Sequence, residues 1–199
     1  MTTLKYIELA RRVRAYIGQD HRYEHSVRVA RCAEVLAHLH DASTAKARLA
    51  GMLHDLARLY SAKRLLDECE GRNMPVDAFE RANPIVLHAR LGAAIAQETF
   101  GIHDPEVLSA IEKHTVGAAD MSVMDCILYL ADGLEPGRDY SERAELWGLA
   151  KRDLRLAMRE TLASSLRHFE KKGIPVAPQT AAAARRFGVF TEEAFTSLS

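Results

Sequence analysis

Four histidines and two aspartates in this sequence stand where polar groups are least expected: His25, the adjacent pair His54-Asp55, His88, His114 and Asp132. Between residues 105 and 114, Val107, Ala110, Ile111 and His114 fall at i, i+3, i+4 and i+7, so His114 extends the apolar face of a helix. His88 continues a face with Gly92 and Ile95, beside the small residues Ala89 and Ala93 that permit close approach. His25 shares a face with Val29, Cys32 or Ala33, and Leu36, while Asp132 closes a stripe that runs through Leu128. His54-Asp55 sits within Ala50-Gly51-Met52-Leu53 and Leu56-Ala57, apolar nearly all round, which puts the pair deep inside.

A buried imidazole or carboxylate is costly unless it is paired or bound to a metal. One inward histidine is ordinarily a core residue bonded to a backbone carbonyl. Six such groups on five helices each need a partner of their own. Divalent metal meets all of these needs together, because neutral imidazoles and ionised carboxylates converge on one cation or two. Successive helical residues diverge by about 100°. His54 and Asp55 can therefore serve different sides of a site, and a carboxylate there can bridge two ions. Ions about 3.5–4 Å apart would activate a shared hydroxide for in-line attack on phosphorus.

The elements that must position these residues are all helical. Apolar spacing predicts helices over about 3–17, 24–40, 44–58, 61–70, 84–100, 105–114, 123–132, 142–170 and 180–187, and no stretch alternates with period two. Asp104-Pro105-Glu106 reads as a cap followed by proline at the first helical position. Ser122 with Asp125 resembles a capping box, and Gly173 then Pro175 stop the long C-terminal helix. The expectation is an all-α bundle forming one domain over 1–199, its motif-bearing core at about 20–140 and its C-terminal helices at about 142–187. The amphipathic 142–170 helix, with Trp147, suits internal packing and would equally allow a homodimer.

Composition narrows the function further. Lys plus Arg equals Asp plus Glu at 27 each, so a general nucleic-acid binder is not expected, although a small polyanion needs only a local basic pocket. Apolar runs are too short to span a bilayer, and residues 1–7 lack a signal-peptide core, so no membrane partner is expected. Cys32, Cys69 and Cys126 are odd in number and far apart, which reads as reduced thiols in a cytoplasmic protein. His21, His38, His40, His103 and His168 fall at helix edges or loops and read as ordinary; His21, one turn before His25, is the one that invites reconsideration.

The order H…HD…H…H…D on helices resembles the HD-domain superfamily of metal-dependent phosphohydrolases. Several segments look more narrowly like its YqeK group of bacterial symmetrical diadenosine tetraphosphate hydrolases. They are His25 to Ala30, Ala50 to Asp55, Leu87 to Ala89, Ala110 to Gly117 with its HTxG element, Tyr129 to Arg138 with AD-x-x-EP-x-R, and Pro175 to Thr180. The resemblance covers about residues 20–187. It implies a centre of two metal ions, often iron, with manganese, cobalt, nickel or zinc as alternatives, and cleavage of diadenosine tetraphosphate to two ADP. It also implies that His25, His54, Asp55 and Asp132 hold one ion, with Asp55 bridging, while His88 and His114 complete the second. Arg138 would neutralise phosphate charge, with Thr115 and the Gly117 backbone adding hydrogen bonds. On spacing alone, Arg138 is as readily a surface partner of Glu135 or Asp139.

The chain departs from the group's pattern in two places. Arg58 stands where lysine is usual, and Gly133-Leu134 replaces a bulky pair, which bears on substrate preference more than on chemistry. Two other functions stay open at this level: an HD phosphatase or phosphodiesterase of mononucleotides or cyclic nucleotides, and an idle nucleotide-binding regulatory module.

Overall fold

The computed structural model describes residues 3–189 and is built from helices; residues 1, 2 and 190–199, the ends of the expected domain, lie outside the described residues. The helices are α1 (Thr3–Ile17), α2 (Asp20–Leu39), α3 (Thr44–Leu53), α4 (Ala62–Gly71), α5 (Ala78–Ala82), α6 (Leu87–Phe100), α7 (Pro105–Lys113), α8 (Val123–Leu134), α9 (Arg143–Ala150), α10 (Leu154–Lys172) and α11 (Pro178–Arg186), with a 3₁₀ turn at Pro84–Val86. Among the described residues there is no strand, and no helix is long and apolar enough to cross a membrane.

Capping sets many of the helix starts. Ser43, Ser61, Asp104 and Asp153 each accept a hydrogen bond from a backbone N–H of the following first turn. Ser122 and Asp125 form the expected capping box at the head of α8. A second box, Asp77 with Glu80, starts the short helix α5, which apolar spacing did not predict because five residues hold too little periodicity.

Two expected helices are shorter than their apolar spacing suggests. The 142–170 stretch breaks into α9 and α10 because Asp153 turns extended, at φ −148° and ψ 102°, and caps Leu156. The 44–58 stretch stops at Leu53, after which the chain tightens into three-residue turns, Arg58 N–H donating to the Asp55 carbonyl at 3.1 Å. The second break lies at the HD pair.

The core runs between α2, α3, α6, α7, α8 and α10, where Leu36, Leu53, Leu91, Ile111, Ile127 and Met158 are fully buried. α2 and α3 pack at backbone contact. A Cβ added at Gly51 would stand 2.6 Å from the Ala30 Cα, so only glycine lets α3 carry the HD pair this close to the helix that bears His25. Trp147 is half-buried and packs against the same core.

Candidate metal centre

The six residues arrive from five segments. His25 projects from α2 and Asp132 from α8; His54 is the last turn of α3, with Asp55 just beyond. His88 opens α6 after the 3₁₀ turn, and His114 ends α7. All are buried except Asp132, which keeps a fifth of its side chain exposed on a cleft.

Three of the histidines sit where a helix starts or ends, and the local geometry is the same each time. The ring Nδ1–H donates to the carbonyl three residues earlier: His54 to Gly51 at 2.8 Å, His88 to Ile85 at 2.5 Å and His114 to Ile111 at 2.7 Å. The Gly51 and Ile111 carbonyls lie in the last turns of α3 and α7, where carbonyls lack an intrahelical partner and are free to hold a ring in one tautomer and orientation. His25, in mid-helix, has no such carbonyl; its Nδ1–H donates instead to the buried Glu135 carboxylate at 3.1 Å.

With each Nδ1 engaged, the four Nε2 edges face inward. His25 and His54 bring theirs to 3.2 Å, and His88 and His114 to 3.2 Å. The Asp55 carboxylate lies between the two pairs. Its Oδ2 is 3.6 Å from His25 Nε2 and 3.4 Å from His54 Nε2, while its Oδ1 is 3.5 Å from His88 Nε2 and 4.0 Å from His114 Nε2. Asp132 Oδ1 closes the first group, 3.1 Å from His25 Nε2. Three overlapping triads, His25–His54–Asp55, His54–His114–Asp132 and Asp55–His88–His114, each keep their donor atoms within 4.8 Å.

The residues fit a divalent cation. Burial pushes His114 down to about 3, helped by His54 and His88, and burial likewise lowers His88, so both rings are neutral. Burial opposes ionisation of Asp55, but the adjacent His54 outweighs it and holds the carboxyl well below the usual range. Burial is likewise outweighed at Asp132, where His25, His54 and Arg138 gather around the carboxylate and hold it below its ordinary range. Neutral His88 and His114 with ionised Asp55 and Asp132 are the protonation states a metal requires; at His54 burial is outweighed by the adjacent Asp55, which raises the ring, and a cation bound there would displace that proton.

Above the centre opens a cleft of about 820 Å³, lined among others by Arg22, Arg58, Thr115, Arg138 and Tyr140. Arg138 Nη2 pairs with Asp132 Oδ1, and its Nε donates to the Asp132 carbonyl at 2.9 Å. Arg138 is therefore tied to the centre and not to Glu135 or Asp139. Thr115 Oγ1 lies 3.1 Å from both His88 Nε2 and His114 Nε2. Arg58 stands half-buried on the cleft wall. Gly117 is not brought there: it lines a separate pocket, where its backbone packs towards Ala183 and Met121. His21 points to solvent, and His40 meets the ordinary expectation by bonding the Ala150 carbonyl at 2.7 Å.

A family model for the HD domain matches residues 22–137, the span that holds all six residues. The chain belongs to the HD-domain family. Its HD domain is similar to the symmetrical bis(5'-nucleosyl)-tetraphosphatase of Bacillus subtilis, 32% identical over 81% of this chain and 86% of the relative. It is also similar to the enzyme of the same name from Halalkalibacterium halodurans, 34% identical over 82% of this chain and 87% of the relative. Among solved structures, a predicted HD superfamily hydrolase involved in NAD metabolism from Clostridium acetobutylicum superposes with a TM-score of 0.87, 31% identity, 92% coverage of this chain and 96% of that one.

Two participants escaped the reading of the HD domain from sequence. Arg22 donates to Asp55 Oδ2 at 2.8 Å, and its buried Nε has no partner. One cue was available, since Arg22 lies three residues before His25 and so on the same helical face. Glu135 follows the end of α8, where no helical phase applies, and its extended backbone, ψ 151°, turns it inward.

Proposed function

We propose that this HD domain is a metal-dependent hydrolase that cleaves diadenosine tetraphosphate symmetrically to two ADP. The observation that carries the reading is the Asp55 carboxylate, whose two oxygens face two separate imidazole pairs in a buried centre at the floor of a cleft. The names of the relatives supply the substrate. His25, His54, Asp55 and Asp132 would hold one ion, His88 and His114 a second, with Asp55 shared; iron is the metal we favour over manganese, cobalt, nickel or zinc. When bound, such ions supply Lewis acidity and acidify water enough for attack on phosphorus at neutral pH.

The chain's own residues do the rest. Asp55 and Asp132 stay ionised, and His88 and His114 neutral, without help from solvent. Arg138, Arg22 and Arg58 line the cleft and offset the charge of a phosphate chain, Arg58 with a planar donor fork that matches phosphate oxygens and Arg138 with a guanidinium fixed at the rim by its Nε and Nη2 bonds to Asp132. The Thr115 hydroxyl, between His88 and His114, orients a phosphate or the attacking water by hydrogen bonding. His54 and Asp55 form the base of the site, and Arg138 forms its rim.

Turnover of diadenosine tetraphosphate by the metal-reconstituted protein, with products separated by chromatography, tests this. ADP as sole product supports the proposal. ATP with AMP, or brisk hydrolysis of mononucleotides or cyclic nucleotides with the tetraphosphate untouched, refutes the substrate. Bound metal and nucleotide without hydrolysis refutes the enzyme.

A further inference from the structure

The four rings of the centre are not held alike. Three are held by main-chain carbonyls, whereas His25 is held by a carboxylate, Glu135, which is 1% exposed and almost fully hydrogen-bonded on both oxygens. Glu135 Oε1 accepts from His25 Nδ1 at 3.1 Å and from Arg28 Nη2 at 3.3 Å. Its Oε2 accepts from Arg28 Nε at 2.5 Å and from the Gly137 N–H at 2.6 Å. The position is built for this contact: a Cβ at Gly137 would stand 2.7 Å from Arg28 Nη2 and 2.9 Å from Glu135 Oε1.

Charge is also distributed unequally. The His25–His54 pair faces two carboxylates, Asp132 Oδ1 at 3.1 Å and Asp55 Oδ2 at 3.6 Å from His25 Nε2. The His88–His114 pair has one close carboxylate, through Asp55 Oδ1 at 3.5 and 4.0 Å, with Asp132 farther off, within 4.8 Å of His114. A carboxylate behind an imidazole raises its basicity as a ligand and fixes its tautomer.

We infer that Glu135 is a positioning residue that makes the His25–His54 half the tighter cation site, filled before the His88–His114 half. This rests on the metal-centre reading above and adds to it an order of loading and the residue that sets it. The effect of Glu135→Gln follows from the donors present. Oε2 receives the two shorter contacts, at 2.5 and 2.6 Å against 3.1 and 3.3 Å for Oε1, so the amide oxygen takes that place and the amide NH₂ faces His25 Nδ1. Two donors cannot face one another, and His25 is driven to carry its proton on Nε2, the edge that must be bare to bind a cation.

The test is a zinc titration of chelator-stripped full-length protein, followed by calorimetry and by histidine ring ¹⁵N NMR, zinc being diamagnetic. In the wild-type protein the first equivalent should move the His25 and His54 ring signals, and the second those of His88 and His114. In Glu135→Gln the affinity of the first half should fall by roughly 10–100-fold, with the His88–His114 half still binding and far-UV circular dichroism unchanged. Wild-type order in which His88 and His114 fill first overturns the inference without any variant, so a misfolded Glu135→Gln does not rescue it. Unchanged loading of both halves in Glu135→Gln, or equal weakening of both in a folded variant, also overturns it. If the wild-type protein binds no zinc at all, the metal-centre reading itself has failed and the inference falls with it.

Discussion

Replacing Asp55 by asparagine is the most searching perturbation of the centre. Asparagine keeps the shape but removes the charge that lies 3.4–4.0 Å from every one of the four Nε2 atoms. Both proposed cation sites draw on that carboxylate, which is the nearest one to the His88–His114 pair, so the variant should bind neither ion well. The consequence can be read as stability. An ion present at 100 times its Kd stabilises the folded state by about 2.7 kcal/mol, and for a chain this long each kcal/mol moves Tm by about 2–4 °C. One saturating ion should therefore raise the wild-type melting temperature by about 5–11 °C over a chelated sample, and the variant by about none. Differential scanning fluorimetry with manganese or zinc, against chelator, measures both. Without metal, the variant also loses the charged bond from Arg22 at 2.8 Å; Arg22 is a fifth exposed, so that loss should be no more than about 1.5–3 kcal/mol. A variant that is stabilised by metal as strongly as the wild-type protein, and still splits the tetraphosphate, would show that Asp55 is not the shared ligand.

Other perturbations separate binding, packing and charge. Arg138→Lys keeps a charge near Asp132 but loses the forked donor set, so KM for the tetraphosphate should rise about tenfold or more while metal content, by atomic absorption, stays that of wild type. Gly51→Ala puts a methyl 2.6 Å from the Ala30 Cα, backbone that cannot rotate aside; urea unfolding should show a loss of about 1–3 kcal/mol, and activity should drop because α2 and α3 carry His25 and His54. Asp104→Asn keeps the cap acceptor of α7 but removes the charge paired with Lys46 at 2.9 Å, a solvent-screened surface pair whose loss should be small. The hydrogen bond from Lys46 holds the Asp104 carboxyl below its ordinary range, so its contribution is present above the unfolded carboxylate range and lost as pH falls through the folded value. The stability difference between wild type and Asp104→Asn should accordingly close at acid pH; a gap that widens there would contradict the assignment.

The helical phase of His25, His88, His114 and Asp132 was legible because burial of one helix face leaves a 3.6-residue period in the chain, and a polar residue on that face stands out. The same logic recovered an all-α architecture and the caps at Asp104 and Ser122. Periodicity does not register interruptions that keep the apolar stripe in phase, so the breaks after Leu53 and before Asp153 were invisible, although the first frees the Gly51 carbonyl that holds His54. Partner choice was equally out of reach. Glu135 lies three residues from Asp132 and Arg138 three further on, a spacing that suits a surface ion pair between them. In the folded chain Arg138 goes to Asp132, and Glu135 turns 107 residues back to Arg28 and 110 back to His25. Residue types and their phase are properties of a single helix and can be read from it. Which donor meets which acceptor depends on how α2, α3 and α8 pack against one another, and only the tertiary structure decides that.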